Sequence, residues 1–144
     1  MATPLTEDQW RTLLSFRVAL KRYLDWSEDH AASVGLTAAQ HQLLIVIRGH
    51  DGKEDPTMTD VAHSLSIRHH SAIGLVDRAV ASGVVRRYRD DVDQRLVRLA
   101  LTPVGHERVN ALAPVHLQEL RRVAPLLDIL VAPEGGRGGN HAET

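Results

Sequence analysis

The sequence predicts a mainly α-helical fold that carries one small β-hairpin. Apolar residues recur at helical spacing along most of the chain, as Leu13, Phe16 and Leu20 do near its start. Two short helical patterns around residues 57–82 are separated by a tight turn at 66–67. A pair of strand-like segments follows, joined by a polar, charged turn at 89–94. Helix, turn, helix and hairpin in this order predict a winged helix-turn-helix, flanked by N- and C-terminal dimerisation helices.

Composition excludes several classes of protein. The chain contains no Cys, which rules out disulfides, thiolate metal sites and a cysteine redox switch. The longest apolar run, Leu43–Ile47, is far too short to cross a bilayer, and residues 1–10 are too polar and acidic for a signal peptide. We therefore expect a soluble cytoplasmic protein with no membrane partner.

Positive charge is concentrated in one segment. The whole chain has a formal net charge of −1. Residues 68–98, however, contain 7 Arg and 4 Asp, a local balance of +3. Because the local field decides which partners approach a surface, this segment favours a nucleic-acid partner, although a solvated basic face would give the same count.

The flanking segments are predicted to be helical. Thr6 and Gln9 have the spacing of a capping box, and the pattern continues to about Ser33 and stops at Gly35, which assigns residues 1–35 to an N-terminal dimerisation helix. Residues 104–132 form the C-terminal dimerisation helices, with a kink or break expected at Pro114 and Pro125. The glycine-rich tail 133–144 is expected to be disordered.

Residues 36–103 form the predicted DNA-binding lobe. Thr37 and Thr57 begin its first two helices as N-caps, and Gly83 ends its last helix in a left-handed conformation. Strand-like residues 84–88 and 96–101 form the hairpin, and Thr102 then caps a helix whose first residue is Pro103.

The second helix of a helix-turn-helix enters the major groove with its N-terminal residues. In this chain those residues are Arg68, His69, His70 and Ser71. An arginine can make a bidentate contact to guanine, and His and Ser can donate to bases or phosphates. Arg78 lies further along the helix as a candidate phosphate contact. Asp77 is better suited to an ion pair than to DNA.

The hairpin turn carries the second candidate contact. Asp93 and Arg95 bracket its tip, where an arginine can enter the narrow minor groove and a nearby aspartate can orient it. A solvated turn with weak surface ion pairs is the plain alternative.

These motifs together resemble the MarR family of bacterial regulators. The resemblance spans roughly residues 10–120 and rests on the motifs around Leu36–Leu44, Leu75–Arg78, Ser82–Arg87, Asp93–Arg95 and Leu101–Gly105. It implies a homodimer, usually a repressor, that binds a near-palindromic operator and adds Arg87 to the expected DNA contacts. The first and last helices are expected to interlock with those of the partner. Small aromatic or phenolic ligands often release such regulators from DNA.

The chain departs from the family pattern in its recognition helix. Arg68 stands where a Ser or Thr cap is common, and Ile73 and Gly74 stand where polar or Arg contacts are common. The sequence alone therefore does not identify the residues that read bases. The family resemblance, with polar groups on otherwise apolar helices, also suggests an effector pocket lined by Trp26, His30 and His41.

Three alternative functions have weaker support in the sequence. Nine His residues invite a zinc-responsive regulator using His30, His41, His106, Glu107 and His116, but no pair has the His-x-x-x-His spacing. A winged helix can also act as a protein-interaction adaptor. An enzyme is not expected, because the chain lacks a phosphate-binding glycine loop and a nucleophile elbow, so no catalytic residue, metal or cofactor is assigned.

Overall fold

The structure is a computed structural model that describes residues 2–131. The predicted disordered tail, 133–144, lies outside these residues. Five helices and two strands make up the described chain, as the fold class predicts. In order they are α1 (Glu7–Ser33), α2 (Ala38–Gly49), α3 (Met58–Ser64), α4 (His69–Ala81), β1 (Val85–Arg89), β2 (Val97–Leu101) and α5 (Pro103–Val131).

Local caps set most helix boundaries. Thr37 and Thr57 each close a capping box with the residue three positions on, and Thr6 does so with Gln9. The backbone is left-handed at Gly35 and Gly83, with φ of 76° and 77°, so each glycine ends a helix as expected.

The larger of two compact units is Asp25–His116. Its core combines α2, α3, α4 and the hairpin with the end of α1 and the start of α5. Leu43 and Leu44 of α2 are fully buried, so this helix lies at the centre of the core.

The smaller unit contains residues 2–24 and 117–131 of the described chain. Val123 is buried, but many large apolar side chains are exposed on both segments. The exposed residues include Leu14, Val18, Leu117, Leu120, Leu127 and Ile129.

The two strands pair antiparallel, from Val85 opposite Leu101 to Arg89 opposite Val97. The segment before α3 lies along the outer edge of β2. The backbone N–H of Leu99 donates to the Pro56 carbonyl at 2.9 Å, and Thr57 forms an isolated antiparallel bridge with Arg98. Residues 56–57 therefore lie along the free edge of β2, joined to it by an isolated bridge and one backbone hydrogen bond.

Of the kink or break predicted at each proline of α5, the break is wrong, and the kink stays a prediction. The helix runs from Pro103 to Val131 through Pro114 and Pro125. Both prolines are exposed, so the carbonyl that each leaves without an intrahelical donor can bond to water. Within residues 2–131, no helix combines the length and apolar character needed to cross a membrane.

Candidate nucleic-acid interface

The N-terminus of α4 presents the four residues predicted to read the major groove. Arg68 is the N-cap residue, with an extended backbone, and makes no capping hydrogen bond through its side chain. A guanidinium has no acceptor, so it cannot satisfy the first N–H groups of the helix. His69, His70 and Ser71 follow in the first turn, and all four residues are exposed. The positive end of α4 is therefore available to an anionic partner.

The turn before α4 uses a left-handed residue that the sequence did not reveal. Ser66 has φ of 54°, and the N–H of Ile67 donates to the Ala62 carbonyl at 3.1 Å. This tight reversal places α4 directly after α3. Glycine would be the usual signal for such a conformation, and serine gives none.

The hairpin formed by β1, β2 and the turn between them is the wing of the fold. Aspartate side chains hold the tip of this wing in place. Arg95 makes a bidentate ion pair with Asp93, in which Nε donates to Oδ1 and Nη2 donates to Oδ2, both at 3.0 Å. Asp90 accepts the backbone N–H groups of Val92 and Asp93 at 3.1 and 2.8 Å. The hydrogen bond from Arg95 is the main reason that the pKa of Asp93 lies below its usual range. The Arg95 side chain is 90% exposed, so its carboxylate partner orients it without covering it.

Two further predicted contacts, Arg87 and Arg78, lie on β1 and α4. Arg87 of β1 donates to the carboxylate of Asp77 on α4, and Asp77 thus has the ion-pairing role expected of it. Arg78 is exposed on α4, and its Nη1 lies 3.5 Å from where a Cβ of Gly74 would be. Its guanidinium therefore reaches back one turn towards the start of the recognition helix.

A cleft of about 480 Å³ lies between α3, α4 and the wing. It brings together His69 of the recognition helix with Arg87 and Arg95 of the hairpin, three of the predicted DNA contacts. Ile73 also lines it, as do Thr57 and Thr59 at the start of α3. Arg68, His70, Ser71, Arg78 and Asp93 do not line this cleft.

Arg98 is a polar centre that sequence reasoning missed. Its side chain is only 12% exposed and donates to the carboxylates of Asp90 and Glu54, each at 2.6 Å, and to the carbonyl of Asp55 at 2.6 Å. The bond to Asp90 is the main cause of the raised Arg98 pKa and of the lowered Asp90 pKa. Two of these partners lie more than 40 positions away in the chain, so no local pattern could indicate them.

The three residues predicted to line an effector pocket lie together around His116. Trp26 and His41 approach the His116 ring with centroid distances of 4.7 and 4.6 Å, and His30 lies 4.2 Å from Trp26. His41 and His116 are buried, and burial followed by the proximity of His116 lowers the pKa of His41 to about 4. We call these four side chains the aromatic cluster.

Hydrogen bonds identify the tautomer of His116. Its Nδ1 lies 2.9 Å from the carbonyl oxygen of Leu112, so this nitrogen carries the proton and donates. Its Nε2 lies 2.7 Å from Oγ of Ser27 and accepts from that hydroxyl. His106 and Glu107, considered above as zinc ligands, are exposed on α5. Among residues 2–131, no three His, Asp or Glu side chains are grouped as a metal site would require.

An exposed recognition helix, a tight turn and an arginine-tipped hairpin define a winged helix-turn-helix protein. The MarR resemblance seen in the motifs is confirmed: residues 34–96 match the profile described as the MarR family. No curated protein matches the chain significantly.

Solved structures extend the likeness to the whole described fold. AbsC, a MarR family transcriptional regulator from Streptomyces coelicolor, is 25% identical, with 92% of this chain and 87% of that chain covered and a TM-score of 0.67. Bordetella bronchiseptica BpsR, whose DNA binding is regulated by 6-hydroxynicotinic acid, is 25% identical over 74% of this chain and 79% of its own, with a TM-score of 0.59. A mutant of Escherichia coli MarR complexed with operator DNA is 22% identical over 91% and 100%, with a TM-score of 0.66.

Proposed function

We propose that this chain is a sequence-specific, double-stranded DNA-binding transcriptional regulator of the MarR type. The observation that carries the proposal is the cleft that unites His69 of the recognition helix with Arg95 of the wing. One concave surface thus presents a helix suited to the major groove and an exposed arginine suited to the minor groove.

The chemistry of each element supports this division. The uncapped N-terminus of α4 offers backbone N–H groups to a phosphate, while Arg68, His69 and His70 offer donors to base edges. Arg95 is fixed by Asp93 but remains exposed, which suits insertion into a narrow groove where A·T steps give the most negative potential.

The first prediction concerns Arg95. Replacing it with alanine should weaken operator binding by about 1–3 kcal/mol and relax the preference for A·T pairs at the contacted position. Binding sites would first be selected from fragments of the source genome, and fluorescence anisotropy would then measure affinity over a range of salt. Arg48→Ala is a matched control, because Arg48 is exposed at the end of α2 and does not line the cleft.

Salt dependence separates the regulator from an adaptor. Each phosphate neutralised should contribute a slope of about −0.9 in log affinity against log salt. Retention on bulk genomic DNA at low salt, with release at moderate salt, agrees with the proposal. Equal affinities for the Arg95→Ala and Arg48→Ala variants, or binding that ignores salt, would contradict it.

We further propose that the chain acts as a homodimer and represses from a palindromic operator. Exposed apolar side chains on residues 2–24 and 117–131 support pairing of two copies, because monomeric surfaces rarely carry large contiguous apolar patches. Two recognition helices would then meet successive major grooves, about 34–36 Å apart. The family resemblance supports the repressor role.

The aromatic cluster is the proposed effector site. Trp26, His30 and His41 combine flat apolar surfaces with ring nitrogens, which suit a small aromatic acid or phenol. BpsR, one of the similar structures, has its DNA binding regulated by a small aromatic acid.

Tryptophan fluorescence can test this site, since the chain contains only two Trp residues. In a Trp10→Phe variant, Trp26 is the sole tryptophan and reports on the cluster directly. Titration with 6-hydroxynicotinic acid and simple phenols should change its emission and release operator DNA at the same concentrations. DNA release with unchanged Trp26 emission would place the effector elsewhere.

A further inference from the structure

The base of the wing is fastened to the loop that precedes α3. Tyr88 of β1 donates its hydroxyl to the Asp55 carboxylate, and Leu99 of β2 donates its N–H to the Pro56 carbonyl at 2.9 Å. Both strands of the hairpin therefore hold the same stretch of loop, residues 54–57.

Arg98 contributes the central contacts of this junction. Its Nε, Nη1 and Nη2 each donate over 2.6 Å, to Asp90, to the Asp55 carbonyl and to Glu54 respectively. A planar guanidinium can satisfy three differently placed acceptors at fixed angles, which the point charge of a lysine cannot do.

The two ends of this network lead to the two DNA-contacting elements. Asp90 also accepts the backbone N–H of Asp93 at 2.8 Å, and Asp93 in turn holds the guanidinium of Arg95. At the other end, the loop runs directly into Thr57, the N-cap of α3 and hence the start of the helix-turn-helix. The side chain of Arg98 thus connects the wing turn, through Asp90, to the loop that precedes the helix-turn-helix.

We propose that Arg98 is a positioning residue for DNA recognition, which fixes the minor-groove arginine Arg95 relative to the recognition helix. This inference rests on the proposed DNA-binding function. Arg98 is largely buried and has all its guanidinium nitrogens engaged, so it acts through the wing rather than by touching DNA itself.

Positioning and simple stabilisation predict different outcomes. If Arg98 only stabilised the fold, its replacement would lower resistance to urea but leave the affinity and A·T preference of the folded protein unchanged. If Arg98 positions Arg95, its replacement should remove the contribution of Arg95 to operator affinity and A·T preference, even in protein that is fully folded.

A double-mutant cycle on the full-length protein tests this difference. Arg98→Lys is combined with Arg95→Ala, and each variant is measured on a selected operator and on the same operator with its wing-contacted A·T pair changed to G·C. Urea denaturation establishes that each variant is folded at the temperature of the binding assay. Glu54→Gln, at an exposed carboxylate, supplies a milder second variant should Arg98→Lys fail to fold.

We expect Arg98→Lys to lower affinity for the A·T operator by about tenfold and to have no further effect once Arg95 is alanine. Glu54→Gln should act in the same direction with a smaller loss, and Arg48→Ala should combine additively with Arg95→Ala. Additive effects of Arg98→Lys and Arg95→Ala would overturn the positioning role.

Failure of the proposed function has a separate signature. If Arg95→Ala leaves affinity unchanged while the protein still binds DNA, the wing contact itself is wrong and the positioning role falls with it. If the wild-type protein binds no DNA at low salt, the function is wrong and the inference has no basis.

Discussion

At the scale of single residues, His41 and His116 are polar groups placed where most helical proteins have aliphatic side chains. His116 resolves the difficulty by donating to a helix carbonyl and accepting from Ser27. His41 lies against it, only 4% exposed. A proton added here would create a charge in an apolar setting, next to a second imidazole.

Acid should therefore destabilise the fold through His41. Its pKa of about 4 in the folded state lies below the ordinary value of 6.5, so the unfolded chain takes up the proton first. The stabilising contribution is complete above pH 6.5 and is lost as the pH falls towards 4, by at most about 1.4 kcal/mol per pH unit. Urea denaturation at pH 7.5, 6.5, 5.5 and 4.5 measures this loss.

The variant His41→Gln keeps a polar side chain but cannot titrate. Its free energy of unfolding should depend less steeply on pH between 6.5 and 4.5 than that of the wild type. Parallel curves for the two proteins would show that another group causes the acid sensitivity.

Ile73 should recognise a thymine methyl group. It is 37% exposed, lines the cleft one helical turn after His69 and offers no hydrogen bond, so the thymine C5-methyl is the base feature it can contact favourably. Replacing one operator thymine with deoxyuridine removes only that methyl group, and should weaken wild-type binding about fourfold, from roughly 0.8 kcal/mol per buried carbon group.

The same exchange should have no effect on Ile73→Ala. Ile45→Ala is the control, because Ile45 is similarly exposed but lies on α2. If Ile73→Ala remains sensitive to deoxyuridine at every operator thymine, the methyl group is read by another residue.

Sequence distance decides which contacts could be predicted. The Asp93–Arg95 pair was predictable, because only one turn residue, Gln94, separates its members. The Arg98 network was not, since Glu54 and Asp55 lie 44 and 43 positions away. The predicted DNA contacts are brought to one side of the lobe only in part, and their roles on DNA remain predictions.

At the scale of secondary structure elements, the close packing of α5 against Val84, the residue before β1, depends on Gly105. A Cβ at this position would lie 2.1 Å from the carbonyl oxygen of Val84. That carbonyl also accepts the backbone N–H of Thr102 at 3.1 Å, so it cannot move away without breaking this hydrogen bond just before α5.

Gly105→Ala should therefore cost about 1–3 kcal/mol or more in the free energy of unfolding. Gly49→Ala is the matched control, since a Cβ there meets no atom within 4 Å. Urea denaturation of the two variants should separate them clearly. If the urea denaturation midpoint of Gly105→Ala equals that of Gly49→Ala, the start of α5 can shift to make room for the added Cβ.

Caps and stops were predictable because they are local. Thr37, Thr57, Gly35 and Gly83 act within four residues of the boundary that they set. The break predicted at the prolines of α5 was wrong, because the cost of a proline depends on whether water can reach the freed carbonyl, and that is a property of the folded surface. Ser66 was missed because its left-handed backbone has no composition signal.

At the scale of the whole molecule, the exposed apolar residues of the smaller unit should cause two chains to associate. Light scattering after gel filtration should give twice the chain mass of 15.9 kDa. Ile129→Glu, at a residue 60% exposed in this unit, should shift the protein towards monomer because it places a charge in the apolar contact. Val92→Glu, at an equally apolar but fully exposed wing position, should leave the mass unchanged.

A monomeric wild type, or two variants with the same mass, would contradict this assembly.

The fold class and the winged-helix lobe were predictable from periodicity and motifs, because each depends on short-range patterns. The association of two copies was predicted only from the resemblance and from long apolar helices, and it is still to be measured.

The isolated bridge that residues 56–57 form along β2 has a consequence for solubility. A two-stranded hairpin leaves two open edges, each able to recruit a strand from another molecule and start aggregation. One edge is occupied here by Pro56 and Thr57, and a proline has no N–H with which to extend the pairing further. The other edge belongs to β1, where Arg86, Arg87 and Arg89 repel a second copy of the same strand. Arg87, one of the proposed DNA contacts, thus also helps to keep the hairpin from pairing with a second copy of itself.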